Sequence, residues 1–342
     1  MIGPQLYCIY VFNVVVNSTL AFFTSTLLIE FFVCLFRIKH PRIKVFCRIL
    51  PFLKICLDLC HYHVSNWALL QGQNPILAEK GSRQLSFLLN PFIGIQFSMK
   101  NGETFSIADV IALLIDPIWV QGIVCIAIFG SVVSSLLYLK RILYQKQKIS
   151  MIVAQAAPAL VKELHASLVA EMRLKKIKVL ISDAISSPCI IGKAILFPTR
   201  LFQDLSEKET EAIIAHEMAH FYWRDCSIRI VCSLVACLFW WIPTRNLQKR
   251  IESAQEEASD TTIYRFGISG TILANAILKT ARETKRVKSQ LAFSFVGTKP
   301  LLRKRIQLLF EEPAKFHQGN IVQYGLLCCF WLSILFGKLW IF

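Results

Sequence analysis

The sequence predicts an α-helical integral membrane protein of about four spans, with one α+β domain placed before the last span. Hydrophobic residues make up 55% of the 342 residues, and the mean hydropathy of +0.51 is typical of membrane proteins rather than soluble domains. Long apolar runs lie near both ends, whereas the stretch between them is polar and basic. These observations predict a membrane region at 1–144, a folded domain at 145–320 and a last span at 321–342.

The first span is expected from about Cys8 to Phe36. This apolar run is too long for a cleaved signal peptide, and it lacks a clear cleavage site. Basic residues follow it at once, at Arg37, Lys39, Arg42, Lys44 and Arg48. The positive-inside rule therefore predicts that this loop is cytoplasmic and that the N-terminus lies outside.

Two more spans are expected before residue 144. The run from Ile107 to Leu139 ends in Lys140-Arg141, so it also ends on the cytoplasmic side. Because two spans that both end inside need a crossing between them, the weaker run from Val45 to Cys60 is expected to be the second span. Residues 61–106 would then form a short external loop.

The domain at 145–320 is expected to be cytoplasmic. Its pattern predicts a helix over Pro158–Leu174, a strand over Ile177–Ile181 and a second strand over Cys189–Phe197. The apolar run at 228–243 is short for a span, which needs about 20 apolar residues. We expect it to enter the membrane and return as a hairpin, with a buried core helix as the alternative.

The last apolar run, Ile321–Phe342, is expected to be the fourth span, with the C-terminus outside. The net charge of +16 fits the cytoplasmic lysines and arginines of a membrane protein, and no motif for nucleic-acid binding is present. No nucleic-acid partner is therefore expected. Most of the 12 cysteines lie in apolar runs, where they behave as small hydrophobic residues.

The segment from His216 to His220 carries the most specific chemical pattern. Two histidines four residues apart share one face of a helix and can reach one metal ion. A helix is expected here independently, because Ser206 and Glu209 form a capping-box pattern. Glu217 follows the first histidine and can point at water on the metal. Two unrelated histidines on a buried helix are the alternative.

A third ligand is expected downstream. Zinc in catalytic sites takes three protein ligands and keeps one position open for water. Glu256 lies 36 residues after His220 and is the expected third ligand. Asp260, one helical turn further, is expected to accept a hydrogen bond from the other ring nitrogen of a ligand histidine. A solvated acidic helix face, shared with Glu252 and Glu257, is the alternative.

The order of these motifs resembles that of the BlaR/MecR antirepressor metallopeptidases. The segments that carry the resemblance are Ser187–Gly192, Ala194–Pro198, Leu205–Glu209, His216–His220, Arg224-Asp225 and Glu256–Asp260. The end of the domain, Lys299-Pro300 and Arg303–Leu309, resembles the closing motif of HtpX-type membrane zinc peptidases. The resemblance covers about residues 140–320.

The resemblance implies a zincin-like fold for the cytoplasmic domain and a metalloendopeptidase activity in a bacterial-type inner membrane. One Zn²⁺ per chain would be bound by His216, His220 and Glu256. It would polarise the scissile carbonyl and lower the pKa of the attacking water, while Glu217 would act as the general base. Asp260 would orient a ligand histidine.

The resemblance also bears on two further features. In zinc peptidases with this element order, the strand before the metal helix often binds an extended peptide as an added strand. The candidate residues for this role are Ile190, Ile191, Gly192 and Ala194, and an ordinary hairpin strand is the alternative. Arg305 matches a family position, where it would either stabilise transition-state charge or form a salt bridge with Asp225 or Asp260.

The physiological role implied by the resemblance is signal-dependent proteolysis. The expected substrate is a cytosolic regulator, such as a transcriptional repressor, or the chain itself. HtpX-like quality control of membrane proteins is an alternative with the same chemistry, and a non-catalytic zinc-containing membrane scaffold is another. The intact Glu217 argues against the scaffold. Because the sequence ends at Phe342 without a penicillin-binding sensor, a β-lactam signal is not expected.

Overall fold

The structure of the chain is a computed structural model. It describes residues 4–70, 97–98, 104–105, 117–151, 155–156, 166, 168–169, 177–286 and 299–310. The expected fourth span at 321–342 lies outside the described residues. So do most of the expected helix at 158–174 and most of the expected external loop.

Three long helices form the N-terminal part: α1 (Pro4–Leu35), α2 (Pro41–Leu70) and α3 (Pro117–Ser150). Each begins at a proline, whose fixed φ suits the first helical position. Helix α3 is described from Pro117, and the first ten residues of the run predicted from Ile107 to Leu139 lie outside the described residues. Helix α2 continues beyond its predicted end, since neither proline nor glycine occurs between Pro51 and Gly72.

Two stretches of the described helices are long and apolar enough to cross a membrane, Val14–Leu35 in α1 and Ile118–Ser150 in α3. Much of the surface of α3 is apolar and exposed, which fits contact with lipid rather than with water. Its most exposed large side chains are Ile118, Trp119, Ile126, Phe129, Leu136 and Leu137. Helix α2 packs along α1, where the rings of Phe22 and Phe52 meet edge to face at 5.8 Å.

The helices that follow are α4 (Thr199–Asp204), α5 (Glu207–Tyr222), α6 (Asp225–Leu238), α7 (Arg245–Thr262), α8 (Gly270–Arg286) and α9 (Lys299–Phe310). A short 3₁₀ helix, Ile263–Phe266, links α7 to α8. One hydrophobic core packs α5 against a β-sheet and α8, and a second packs α6 and α7 against α1 and α2. Helices α5 and α7 therefore lie between the sheet and helices α1 and α2.

The main sheet has the strand order β3-β4-β6-β5. Its strands are β3 (Gln155–Ala156), β4 (Lys178–Ser182), β5 (Cys189–Ile191) and β6 (Ala194–Pro198). Strand β4 confirms the strand predicted over Ile177–Ile181, and it runs parallel to β6. A separate pair, β1 (Phe97–Ser98) and β2 (Thr104–Phe105), lies within the predicted external loop.

The single strand predicted over Cys189–Phe197 is wrong, because the chain forms a hairpin there. Strand β5 (Cys189–Ile191) pairs antiparallel with β6 (Ala194–Pro198). Gly192, at the first loop position, has a φ of 61°, as a two-residue type II′ turn requires. Strand β5 is thus an edge of this sheet, whereas β6 is paired on both sides.

The apolar run at 228–243 folds as a helix followed by a sharp reversal. Helix α6 ends at Leu238, and the chain turns back to start α7. At the turn, Trp240 Nε1 donates to the Ala127 carbonyl, and Trp241 Nε1 donates to Thr19 Oγ1, each at 3.1 Å. Ala127 and Thr19 both lie within the two apolar stretches of α3 and α1. The turn therefore lies beside the apolar helices.

The capping box of α5 forms as the sequence predicts. Glu209 N donates to Ser206 Oγ at 3.3 Å, and Ser206 N donates to Glu209 Oε2 at 2.7 Å. We expect Ser206→Ala to lower the free energy of unfolding by about 1 kcal/mol, because an N-cap acceptor is lost. Chemical denaturation of the full chain in detergent would measure this, with Ser206→Thr as the control that keeps the cap. Equal stability of both variants would contradict the prediction.

Candidate active site

Helix α5 places the two histidines and Glu217 at the inner side of the domain. Its alanines and isoleucines pack into the core against β6 and α8, and Ala212 through Ala215 are fully buried. This packing fixes the rotation of the helix. His216 is itself fully buried and Glu217 is 4% exposed, whereas His220, one turn later, lies at the edge of the site.

Helix α7 brings Glu256 to these histidines. The Nε2 atoms of His216 and His220 are 3.2 Å apart. Glu256 Oε2 lies 3.6 Å from His216 Nε2, and its Oε1 lies 3.6 Å from His220 Nε2. Nitrogen ligands at the usual zinc distance and tetrahedral angle are separated by about 3.3 Å. The donor types and their spacing therefore fit one zinc ion, and the three residues form a possible metal site.

The three glutamates of α7 lie in different environments, which bears on the alternative of a solvated acidic face. Glu252 is exposed. Glu257 pairs with Lys44 at 3.4 Å. Glu256 instead faces the two histidines, and its side chain is 22% exposed. The acidic residues of this helix therefore do not form one solvated face.

The Nδ1 atom of His216 lies against Asp260. The distance from His216 Nδ1 to Asp260 Oδ1 is 3.0 Å, so Asp260 holds the nitrogen that faces away from the site. Arg305, from α9, holds Asp260 with two hydrogen bonds of 2.9 and 2.8 Å. A third nitrogen of Arg305 lies 2.9 Å from Glu256 Oε2. Of the two salt-bridge partners expected for Arg305, the structure has Asp260 and not Asp225.

His220 has its own aspartate, which the sequence interpretation did not assign to it. The turn after α5 reverses at Arg224, whose φ of 54° is left-handed, and Asp225 then begins α6. Asp225 Oδ2 lies 2.7 Å from His220 Nδ1, and Ser259 Oγ lies 3.1 Å from the same nitrogen. The position of Asp225 five residues after His220 was the available sequence signal.

The buried carboxylates of the site are held ionised by their neighbours. Burial opposes ionisation of Glu256, but Arg305 and His220 outweigh it, so its pKa lies well below the usual range. Arg305 and His216 likewise lower the pKa of Asp260 against the effect of burial. Burial disfavours a charged His220, yet Glu256 and Asp225 raise its pKa to about 9. The site therefore favours positive charge between the carboxylates, which a cation can supply.

The pKa of Glu217 is shifted in the opposite direction to those of Glu256 and Asp260. Burial raises its pKa above the usual range, although His220 and His216 act in the other direction. A carboxylate with a raised pKa is a better proton acceptor near neutral pH. Cys189 of β5 lies close by: burial and then the charge of Glu217 raise the pKa of this thiol to about 12. Glu217 and the edge strand therefore face the same region.

One partly exposed cation also lies at the site. Arg229, on α6, has 43% of its side chain exposed, and its Nη2 lies 3.8 Å from Glu256 Oε1. Its Nε donates to Gln255 Oε1 at 3.1 Å, and Gln255 is fully buried, which orients the guanidinium. Arg229 was not singled out from the sequence, because nothing in the apolar run around it marks this residue.

The four candidate residues for substrate binding lie in three different places. Ile190 and Ile191 are on the edge strand β5. Gly192 is in the turn, and Ala194 is on β6, whose two sides are already paired. Of these four residues, only Ile190 and Ile191 therefore lie on a strand that has no described partner on one side.

The comparison with known families agrees with this geometry. A family model described as BlaR1 peptidase M56 matches residues 59–309, which is well over half of the chain. The matched region includes α5, α7 and most of α9, the helices that build the site. No curated protein matches the chain. The extent of the family match shows that the chain belongs to the BlaR1 peptidase M56 family of membrane-associated metallopeptidases.

Proposed function

We propose that this chain is a zinc-dependent endopeptidase of the membrane that cleaves a cytosolic or membrane-proximal protein in regulated proteolysis. The observation that carries the proposal is the convergence of His216, His220 and Glu256 beside a buried Glu217. Three ligands and one general base are the parts that metal-assisted peptide hydrolysis needs.

The chain's own residues divide the chemistry between them. His216, His220 and Glu256 would hold the zinc, which when bound polarises the scissile carbonyl and makes water more acidic. Glu217 accepts the proton of the attacking water and passes it to the leaving amine. Arg305 is 6% exposed and already holds two carboxylates. Arg229 is the accessible guanidinium of the site, so developing negative charge would be stabilised by Arg229 rather than by Arg305.

The burial of Glu217 argues for catalysis over a zinc scaffold. Removing a carboxylate from water costs free energy, and here burial raises its pKa. A purely structural metal site gains nothing from a buried base beside its ligands. Strongly perturbed groups of this kind are concentrated at functional sites.

The membrane topology that we propose places the peptidase in the cytoplasm. The basic residues after α1 and at the end of α3 favour the inner face of the membrane. Arg48 of α2 contacts Arg250 O of α7 at 3.2 Å, so the domain lies at this basic end. The turn between α6 and α7 contacts the apolar parts of α1 and α3, which supports a hairpin that enters the membrane. Substrates near the lipid surface would then reach the site most easily.

The test of the proposed function is cleavage by the purified full chain in lipid vesicles. We expect hydrolysis of a co-expressed regulator or of the chain itself. It should stop when a chelator removes zinc and return when zinc is added. No cleavage of any protein by the zinc-loaded chain would contradict the proposal. Cleavage restricted to unfolded membrane proteins would contradict the regulatory role and favour quality control.

The proposed substrate mode is addition of an extended peptide to β5. In this two-residue hairpin, Ile191 and Ala194 close the turn as the hydrogen-bonded pair. The N–H and C=O of Ile190 therefore point away from β6, toward the free edge. Strand β5 also contacts α5, the helix that carries Glu217. A peptide bound along this edge would pass the base and the metal site.

Replacing Ile190 by proline would remove one outward backbone donor, which an edge strand tolerates. We expect Ile190→Pro to lower kcat/KM for a peptide substrate by about 5- to 10-fold, the effect of one hydrogen bond. Ile190→Ala is the matched control, because it loses the same side-chain packing and keeps the N–H. Similar kcat/KM values for the two variants would contradict strand addition at this position.

A further inference from the structure

Each histidine of the site is held by an aspartate, and each aspartate is held by an arginine. From His216, the contacts run through Asp260 to Arg305 of α9, within the domain. From His220, they run through Asp225 to Arg42. Arg42 lies in the first turn of α2, so the second set of contacts connects the site to a helix of the N-terminal membrane region.

Arg42 makes three contacts at once, and its two hydrogen bonds are buried. Its Nη1 donates to Asp225 Oδ1 at 2.6 Å, and its Nη2 donates to Ser259 Oγ at 3.2 Å. Both partners also contact His220 Nδ1, at 2.7 and 3.1 Å. The guanidinium stacks on the ring of Trp223 at 4.7 Å. The side chain of Arg42 is 6% exposed and that of Asp225 is 0% exposed, so the ion pair between them is shielded from water.

The planar fork of arginine suits this position. One guanidinium nitrogen binds Asp225 and another binds Ser259. The rigid guanidinium therefore fixes the positions of the two groups that contact His220 Nδ1. With Asp225 accepting from Nδ1, the lone pair of His220 lies on Nε2, toward His216 and Glu256. This is the tautomer that a metal ligand needs, and such outer partners commonly set ligand orientation and affinity.

Helix α2 is also fixed along α7, the helix that carries Glu256. Lys44 pairs with Glu257, and Arg48 reaches the carbonyl of Arg250. A shift of α2 along α7 would withdraw Arg42 from Asp225 and leave a buried carboxylate without its cation. His220 would then lose a fixed partner.

We infer that Arg42 is a positioning residue of the metal site: through Asp225 and Ser259 it orients His220, and the site is complete only when α2 is docked on the domain. This inference rests on the proposed metal site. A rearrangement of the membrane helices that moves α2 would therefore change the metal site through the side chain of Arg42.

The test measures zinc affinity of the full chain in detergent by competition with a coloured chelator. Arg42→Met should weaken zinc binding by about 10- to 100-fold, as loss of an outer partner typically does. Lys44→Ala is the matched control, since it removes another contact between α2 and α7 and leaves the partners of His220 in place. It should bind zinc like the wild type. Zinc binding by Arg42→Met equal to that of the control would overturn the inference.

A double-mutant cycle distinguishes positioning from a general loss of stability. Because Arg42 acts through both Asp225 and Ser259, adding Arg42→Met to Asp225→Asn should weaken zinc binding by clearly less than Arg42→Met does alone. The double variant carries no unpaired buried charge, so it keeps the fold better than Arg42→Met. Fully additive effects would overturn the inference.

The cobalt-substituted chain gives a readout independent of activity. The visible spectrum of bound Co²⁺ should change in Arg42→Met and be partly restored in Arg42→Lys, which keeps a cation beside Asp225. Spectra of both variants identical to that of Lys44→Ala would overturn the inference. If the wild type bound neither metal, the proposed function itself would fail. If it bound both and Arg42 had no effect, only this inference would fail.

Discussion

Glu217→Ala is expected to abolish peptide cleavage while the chain keeps its metal. General-base catalysis contributes about 10²- to 10⁴-fold to a rate, and no other described carboxylate beside the site is free of a histidine or an arginine partner. Glu256 and Asp260 are both held by Arg305. We therefore expect kcat to fall by at least about 100-fold at saturating zinc.

The measurement for Glu217→Ala is cleavage by the full chain in vesicles, together with zinc content of the same samples. Glu211→Ala, on the same helix and outside the site, is the control and should cleave normally. Because the zinc site needs the folded domain, retained zinc in the same samples shows that loss of cleavage does not reflect unfolding. Normal cleavage by Glu217→Ala would exclude the assigned role of this residue.

Glu256→Ala is expected to lose both the metal and the activity. Glu256 supplies the only described carboxylate oxygens that lie 3.6 Å from both ligand nitrogens, so two histidines alone would remain. Two ligands bind zinc far more weakly than three, and the site would also lose charge, because Glu256 balances Arg305. We expect zinc to be lost on dialysis and cleavage to be undetectable.

The control for this variant is Glu252→Ala, one turn earlier on α7 and exposed to solvent. It should retain zinc and activity, because its carboxylate contacts neither histidine. Elemental analysis after dialysis, followed by the cleavage assay, measures both variants. Equal zinc retention by Glu256→Ala and Glu252→Ala would show that the third ligand is another group.

The part of the site that rests on local spacing was predictable. His216 and His220 share a helix face because of the helical period, and the capping box of Ser206 and Glu209 marks the start of that helix. The approach of Glu256 was suggested by ligand chemistry and by the resemblance, and the structure places it beside both histidines. Its role as a zinc ligand stays a prediction.

The boundaries of several elements were less predictable, because turn chemistry decided them. A run of apolar residues from Cys189 to Phe197 looks like one strand, yet Gly192 permits the left-handed φ that folds it into a hairpin. This change matters for function, because it makes β5 an edge and places Ala194 in the interior of the sheet.

The outer contacts of the site could not be predicted from the sequence. Arg42 and Asp225 are separated by 183 residues, and no local pattern links them. In the sequence, Arg42 is one of several basic residues after α1, and the positive-inside rule accounts for all of them as cytoplasmic charges. Only the packing of α2 against the domain shows that this arginine is buried against Asp225 while Arg37 and Lys39 are not buried.

The central claim is that His216, His220 and Glu256 form one zinc site, and the most direct measurement is the zinc content of the dialysed full chain. We expect about one zinc per chain in the wild type, as for a three-ligand catalytic site, and almost none in a His216→Ala/His220→Ala variant. A folded wild type without zinc, or equal zinc in the variant, would contradict the account.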